Sequence, residues 1–452
     1  MPFGVYLGLW KKGTGRGRMQ REMTQPRVAI LSAARTPFTK AGTTQKKVPA
    51  HELGRAALRE ALERANLRPP EVTEVIFGNI AQPPEATNIA RVIALRAGLP
   101  ASISAYTVNR NCGSALQALT DGVEKIQSGA ASFVAVGGTE SMSRIPLFYS
   151  ESFGEKLERT ARAKSPLEKA AALSQFRPAD FKPVIGLMVG LTDNVCGLNM
   201  GETAEVLARE FRISRELQDQ FALESHQRAA AAQASGRFAV EIAPVPLPPR
   251  YDSFSAQDVG IRAQQSMEAL AKLRPVFDKR FGTVTAGNSS QITDGAGALV
   301  LASEAVVRQR GLPVLGWVRG FAYAGLDPRR MGLGPVFATA KLLEAERMRF
   351  EDIDLIEINE AFAAQVLACE AAFASDAFAA RELGRSNALG VIDPERRNVN
   401  GGAIALGHPV GATGARLVQT LLLELHMREL ALGLVTLCIG GGQGAAVLLE
   451  TA

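Results

Sequence analysis

Apolar positions along the chain follow two spacings. Arg27-Val-Ala-Ile-Leu-Ser32, Val72 to Asn79, Ser132 to Gly138, Gly295 to Ala302 and Leu434 to Gly441 are short apolar runs bounded by turn residues. They read as buried strands. Between them apolar residues recur at helical spacing. Leu53, Ala57, Leu58 and Leu62 mark a helix from Ala50 to Ala65, stopped by Pro69-Pro70. Asn88 to Leu99 is a second helix, and Leu116, Leu119, Val123 and Ile126 mark a third that ends at Gly129. Strands alternating with helices predict an α/β fold with a largely parallel sheet. From about residue 145 the pattern loosens. Residues 146–200 read as charged loops with one apolar segment at Val184 to Val189. A helical stretch runs from Gly201 towards Arg237, broken near Arg212-Ile213-Ser214, and Pro244 to Pro249 is an extended link. Region 146–269 is therefore expected to be an insertion over the core, a common way to build a ligand lid.

The two ends of the chain repeat one another. A helix (53–66) leads to Glu71-Val-Thr-Glu-Val-Ile-Phe-Gly-Asn79, and a helix (337–346) leads to Glu351-Asp-Ile-Asp-Leu-Ile-Glu-Ile-Asn359. Asn109-Arg-Asn111 precedes Cys112, a helix and a strand; Asn398-Val-Asn400 precedes Gly401, a helix (414–425) and a strand. Repetition over successive motifs in order implies duplication. The expected organisation is one half at 26–145 plus 270–312, the inserted loop domain at 146–269, and a second half at 313–452. Equivalent strand ends of two such halves would face one another, and ligands bind at those carboxyl ends.

Composition narrows the chemistry. The apolar content of 46% and charged content of 21% are those of a globular protein. Cys112, Cys196, Cys369 and Cys438 stand far apart without a CxxC, which excludes a disulfide framework or zinc site and fits a reducing, cytoplasmic setting. The four histidines show no metal-ligand spacing either. A net charge of +6 suits an acidic ligand without indicating nucleic acid. No apolar run reaches the ~20 residues of a membrane span. Residues 1–25 carry several basic residues and glycines and read as a disordered basic extension.

The candidate chemistry lies in three places. Cys112, at the start of a helix, is placed where backbone N–H groups favour a thiolate, and is a candidate nucleophile. His408 lies in the glycine-rich run Asn400-Gly-Gly-Ala-Ile-Ala-Leu-Gly-His408-Pro-Val-Gly-Ala-Thr-Gly414, where the backbone can approach a ligand closely. Cys438 ends an apolar strand before Ile439-Gly-Gly-Gly-Gln-Gly444. It is a candidate proton-transfer thiol, with the N–H of Gly440 as an oxyanion donor. Asn359, at a strand end, is able to hold a water.

NRNCGSALQAL, GETAE (201–205), TAGNSSQITDGAGAL, INEAFAAQ, NVNGGAIALGHPVGATGAR and CIGGGQGAA together resemble the successive signatures of the thiolase family, which comprises 3-ketoacyl-CoA thiolases and acetyl-CoA acetyltransferases. The resemblance covers residues 26–451. It implies a duplicated αβαβα five-layer core with an inserted loop domain, and a two-step acyl transfer. Cys112 would be the nucleophile that is acylated, His408 the base that takes its proton, and Cys438 the second acid/base. One oxyanion hole would use His408 with a water held by Asn359, the other the N–H groups of Cys112 and Gly440. Ser290 matches the position that contacts the CoA pantetheine, and basic residues of the insertion would hold the nucleotide. Met200, in Gly197-Leu-Asn-Met-Gly201, stands in the run where many thiolases have GYHMG, so that CoA-side contact is altered.

Coenzyme A is thus expected as a substrate, with no permanently bound cofactor and no metal, and CoA thioesters as ligands. The family implies a homodimer or homotetramer. Ala86-Thr-Asn-Ile-Ala-Arg91 and the long excursion 364–397 resemble thiolase subunits of fatty-acid oxidation complexes, which implies a hydratase/dehydrogenase partner. Those subunits usually show histidine where this chain has Asn359. A ketoacyl-synthase-like enzyme is the alternative, opposed by the second cysteine in CIGGGQG. A non-catalytic lipid carrier would be favoured by loss of Cys112, His408 or Cys438, and all three are present.

Overall fold

The computed structural model describes residues 26–452. The basic extension expected at 1–25 lies outside them. The first half contributes β1 (Val28–Arg35), α1 (Ala50–Arg64), β2 (Glu74–Gly78), α2 (Ile89–Arg96), β3 (Ser104–Val108), α3 (Ser114–Gln127) and β4 (Phe133–Ser141). The inserted region holds α4 (Glu151–Arg162), α5 (Pro166–Leu173), α6 (Met200–Glu210) and α7 (Arg215–Ala234), and β5 (Thr293–Ser303) returns to the sheet. The second half has β6 (Gly316–Gly325), α8 (Gly334–Glu346), β7 (Leu355–Ile358), α9 (Ala363–Phe373), α10 (Thr413–Met427), β8 (Leu432–Ile439) and β9 (Gln443–Glu450).

One ten-stranded sheet runs in the order β7-β8-β9-β6-β1-β5-β4-β2-β3, with Thr39–Lys40 added beside β5. Its pairing repeats. In the first half β2 lies parallel to both β3 and β4, then β4, β5 and β1 pair antiparallel. In the second half β7 lies parallel to β8, then β8, β9 and β6 pair antiparallel. A lone parallel bridge between Ile356 and Arg397 stands where β3 stands in the first half. The sheet is thus mixed rather than largely parallel, because the first and last strands of each half return antiparallel. The halves meet where β1 pairs antiparallel with β6 through Val28–Val318, Ala29–Trp317 and Ile30–Gly316. Equivalent strands that pair antiparallel are related by a local two-fold axis.

Three buried clusters define the layers. Leu53, Leu58, Ile89 and Ile93 of α1 and α2 pack on Val75, Phe77 and Ala135 on the outer face of the first half. Val336, Leu342, Val366 and Phe373 of α8 and α9 pack on Ile356, Ile358 and Leu434 of the second. Between them, Leu116, Leu119 and Val123 of α3 and Leu417, Val418 and Leu421 of α10 contact strands of both halves. The layers run helix, sheet, helix, sheet, helix. A buried Leu or Ile is worth ~1.5–3 kcal/mol relative to an exposed one, so the middle layer holds the halves together.

Residues 146–200, read from sequence as loops, form α4 and α5, a short helix at Gly186–Gly190, and a two-stranded sheet of Leu147–Phe148 with Val184–Ile185. Ser150 caps α4 by accepting from Phe153 N at 3.3 Å, and Ser165 with Glu168 forms a capping box on α5. These signals are local. The apolar stripe stays outward, with Leu157 53% and Leu167 83% exposed, so no buried face revealed the helices.

Candidate active site

β3 ends at Val108, and the chain turns through Asn109 to Gly113 into α3. Asn111 takes a left-handed conformation, φ 45°. Ser114 Oγ accepts from Arg110 N at 2.9 Å and donates to Asn111 O at 2.6 Å, which closes the turn. The turn presses on the other half: a Cβ on Gly113 would stand 2.5 Å from Ile439 Cδ1, and Asn111 Nδ2 donates to Gly440 O at 2.9 Å. Cys112, at the crest, therefore sits against the segment that follows Cys438. Burial pushes its thiol up, while the N–H groups of Gly440 and of Cys112 pull it down. The balance lies above the ordinary thiol value. Desolvation thus outweighs the helix N-terminus, and the thiol needs a base to become a thiolate.

His408 is buried on the second half. Its backbone N–H reaches Thr293 Oγ1 at 3.1 Å. Thr413 Oγ1 donates to Pro409 O at 3.1 Å, so its lone pair accepts from Nδ1–H of His408 at 2.6 Å. Nε2 is left with the free lone pair, and Asn359 Nδ2 stands 3.4 Å from it as a donor. Both neighbours assign the same tautomer. Burial, with Arg416 behind it, pushes His408 down to about 3, so the ring is a neutral acceptor near pH 7.

Asn359 follows β7, and its N–H donates to Thr436 O on β8 at 3.0 Å. Its Oδ1 is buried with no protein partner. Such a group needs a polar visitor. Cys438 is at the end of the adjoining β8, and burial and the neighbouring Cys112 push its thiol well up. Met200 starts α6, and a Cβ on Gly440 would stand 3.2 Å from its Sδ. Ser290 lies one loop further out, its N–H donating to Ala361 O at 2.9 Å. The N-terminal ends of α3 and α10 also touch: a Cβ on Gly414 would stand 2.9 Å from Leu116 N. Gly440 is thus met by Cys112 on one side and by Met200 on the other, Cys438 neighbours both Cys112 and Met200, and His408 meets Asn359.

Thr413, Thr293 and Glu140 also belong to this site; the two threonines lie inside the quoted motifs but were not singled out, and Glu140 lies in none of them. Glu140, buried at the end of β4, accepts from Ile80 N and Ala81 N at 3.1 Å each and from Gly411 N. It ties the His408 loop to the first half. Burial pushes its carboxyl up to about 7. Among the described residues no three His, Cys, Asp or Glu side chains stand as a metal site would need. Among them, too, no helix is long and apolar enough to cross a membrane.

Comparison with known proteins agrees with this geometry. Residues 28–305 match the model of the thiolase N-terminal domain and residues 312–451 that of the thiolase C-terminal domain. A 3-ketoacyl-CoA thiolase of Pseudoalteromonas translucida is 42% identical over 427 residues, covering 94% of this chain and 97% of that protein. A 3-ketoacyl-CoA thiolase of Photorhabdus laumondii is 41% identical over 425 residues, with the same coverage of 94% and 97%. The acetyl-CoA acetyltransferase of Bacillus anthracis superposes with a TM-score of 0.83 at 38% identity, covering 95% of this chain and 99% of that one. Human mitochondrial 3-ketoacyl-CoA thiolase in complex with CoA gives 0.82 at 37% identity, covering 95% and 98%. The chain belongs to the thiolase family.

Proposed function

We propose that this protein is an acetyl-CoA C-acyltransferase that cleaves 3-ketoacyl-CoA with CoA, and in reverse condenses acetyl-CoA with an acyl-CoA. The observation that carries the reading is buried His408, with Nδ1 engaged by Thr413 Oγ1 and Nε2 left to accept, together with Cys112 seated against the segment that follows Cys438. A thiol that rests protonated needs a base, and a neutral imidazole with its lone pair exposed is one.

Nε2 of His408 takes the proton of Cys112, and the sulfur attacks the 3-keto carbon. The bond between C2 and C3 breaks. The electron pair stays on the acetyl-CoA fragment as an enolate, which Cys438 protonates at C2. Acetyl-CoA leaves. Cys438, now a thiolate, takes the proton of an incoming CoA thiol, whose sulfur attacks the acyl-Cys112 thioester. Shortened acyl-CoA departs, and Cys112 regains its proton from His408. The N–H groups of Cys112 and Gly440 form one oxyanion hole. A water on the unpartnered Asn359 Oδ1, together with His408, forms the other. Ser290 and Met200 line the pantetheine side, and the inserted region 146–269 covers the site.

The substrate reading makes coenzyme A a substrate rather than a resident cofactor. β3 pairs only with β2 among the described residues, leaving an uncovered sheet edge, which supports a homodimer or homotetramer. A hydratase/dehydrogenase subunit of a fatty-acid oxidation complex is the proposed further partner. Four unpaired cysteines support a cytoplasmic setting. The test is Cys112→Ala incubated with acetyl-labelled acetyl-CoA. Label is expected on the native protein and none on the variant; label on the variant refutes Cys112 as the nucleophile.

A further inference from the structure

Behind His408 and Asn359 lies a buried ion pair that the scheme above leaves without a role. Arg416 Nη1 donates to Glu357 Oε2 at 2.7 Å, with side chains 0% and 3% exposed. Both residues come from the elements that build the His408 site. Glu357 is two residues before Asn359 in the β7 segment, hence on the same face. Arg416 is three residues after Thr413 on α10, hence on the same face of that helix. Strand and helix thus meet in two adjacent rungs, Asn359–His408–Thr413 and Glu357–Arg416. Arg416 Nε and Nη2 are buried with no protein partner. Arg416 is also the charge that presses on His408.

Packing gives no reason for the pair. In the first half the matching strand and helix, β2 and α3, face each other with Ile76, Leu116 and Leu119, all fully buried. Replacing a buried ion pair with such residues is often neutral or stabilising, because desolvation of two ions offsets their attraction. The second half nevertheless places a guanidinium there. The carboxylates around it are committed elsewhere. Glu241 binds Arg35 and Arg237, and Glu360 accepts from Ser225, Asn398 and Ile404 N. Burial raises the Glu357 carboxyl, Arg416 pulls it down, and Glu360 and Glu241 push it up again. Among the described residues Glu357 is the one carboxylate that Arg416 meets, and two of its nitrogens stay without a protein partner.

On the acyl-transfer reading above, negative charge develops on an oxygen held by His408 and the Asn359 water. A fixed cation in a dry interior behind that pair favours the charge, and it needs no reorganisation when the charge appears. We propose that Arg416, held by Glu357, is a positioning residue of the reaction. It acts through His408 and Asn359, keeping the imidazole neutral and favouring the anion they bind.

Three variants test this: Arg416→Gln removes the charge, Arg416→Lys keeps it, and Glu357→Leu with Arg416→Met copies the apolar packing of the first half. Thiolysis of acetoacetyl-CoA is followed from pH 5.5 to 9, with thermal unfolding as the check on folding. For Arg416→Gln, kcat should fall about 10–100-fold with KM within about threefold, less than the roughly 100–1000-fold for a donor that touches the oxyanion, because Arg416 acts through other groups. The acid limb of kcat/KM, which lies below this window while His408 is held at about 3, should rise towards or into it, since His408 becomes easier to protonate. Arg416→Lys should keep the limb at its native position. If Arg416→Gln fails to fold, the double variant carries the same expectation. Folded charge-free variants with native kcat and a native limb overturn the proposal. So does an Arg416→Lys limb displaced as far as that of Arg416→Gln. Failure of the acyl-transfer reading shows separately, as native protein whose Cys112 takes no acetyl label.

Discussion

Thr413→Val isolates the contact that orients His408, on the proposal that His408 is the base. Valine matches threonine in shape, so the buried site keeps its packing while the hydroxyl is lost. The structure gives a 2.6 Å contact from Nδ1 to Thr413 Oγ1, both groups buried. Removing one partner of a buried hydrogen bond costs about 1–3 kcal/mol. Here the cost falls on the tautomer. With no acceptor at Nδ1, the proton moves towards Nε2, where it faces Asn359 and blocks transfer from Cys112. At 1.36 kcal/mol per tenfold, the acylation step should slow about 10–100-fold. Binding should hold, because Thr413 lies behind the ring. The assay is single-turnover acetylation of Cys112 by acetoacetyl-CoA, quenched and read by intact mass, at several substrate concentrations. A folded variant that acylates within twofold of the native rate refutes the tautomer assignment. A defect confined to the concentration dependence refutes the placement of Thr413.

Cys438→Ser should leave Cys112 able to accept an acetyl group but slow proton exchange at the acetyl methyl of acetyl-CoA; NMR in deuterated water reads this, and native exchange rejects its role as the second acid/base. Gly138→Ala should destabilise the fold by about 1–3 kcal/mol, because its Cβ would stand 1.9 Å from Gly411 O, backbone against backbone. Activity should suffer as well, since Gly411 belongs to the His408 loop; native melting would show that the loop gives way freely. Stability should fall as pH rises from 6.5 to 8. Glu140 and Glu357 hold protons in the fold up to about 7 and about 8, while the unfolded chain has released them from about 4.5 upward. Their contribution is complete below 4.5 and is lost as pH rises through those values. Histidine in the unfolded chain titrates near 6.5, so the lowered His226 and His408 oppose this trend mainly below the window. The expected loss is about 2 kcal/mol at ~1.4 kcal/mol per pH unit per group. Urea unfolding across the window measures it, and rising stability contradicts it.

Much of this was legible along the chain because the core strands are continuous apolar runs and the central helices carry clear stripes. The duplication was legible too, though out of register by one residue. Gly78 lies on the face of the central helix, its Cβ position 2.7 Å from Ser114 Cβ, whereas in the second half Asn359 lies on that face. The asparagines at 79 and 359 match as letters and not as positions, because side chains alternate along a strand. Cys112, His408 and Cys438 stood out by residue type and glycine context. Thr413 did not, since a hydroxyl at a helix start reads as an ordinary N-terminal residue until the ring above it is seen. Glu357 looked like an unremarkable carboxylate in an apolar strand, and only its pairing with Arg416, 59 residues on, explains its burial. The burial that raises the Cys112 thiol was not legible, because sequence reveals a helix start but not the desolvation around it.

The junction of β1 with β6 has a consequence for how such a site can arise. A chain of half this length would present its first strand at an open edge, and a second copy of itself would satisfy it through the same antiparallel contact. In such a homodimer every residue occurs twice. A cysteine at the first helix start would face another cysteine, and a histidine loop another histidine loop. Joining the two copies end to end removes that constraint. It also turns a concentration-dependent association into an intramolecular one. Each copy is then free to specialise: one keeps a short turn that carries Cys112, while the other lengthens the same turn into the loop that carries His408. The division of labour across this cleft is a symmetry broken by covalent linkage.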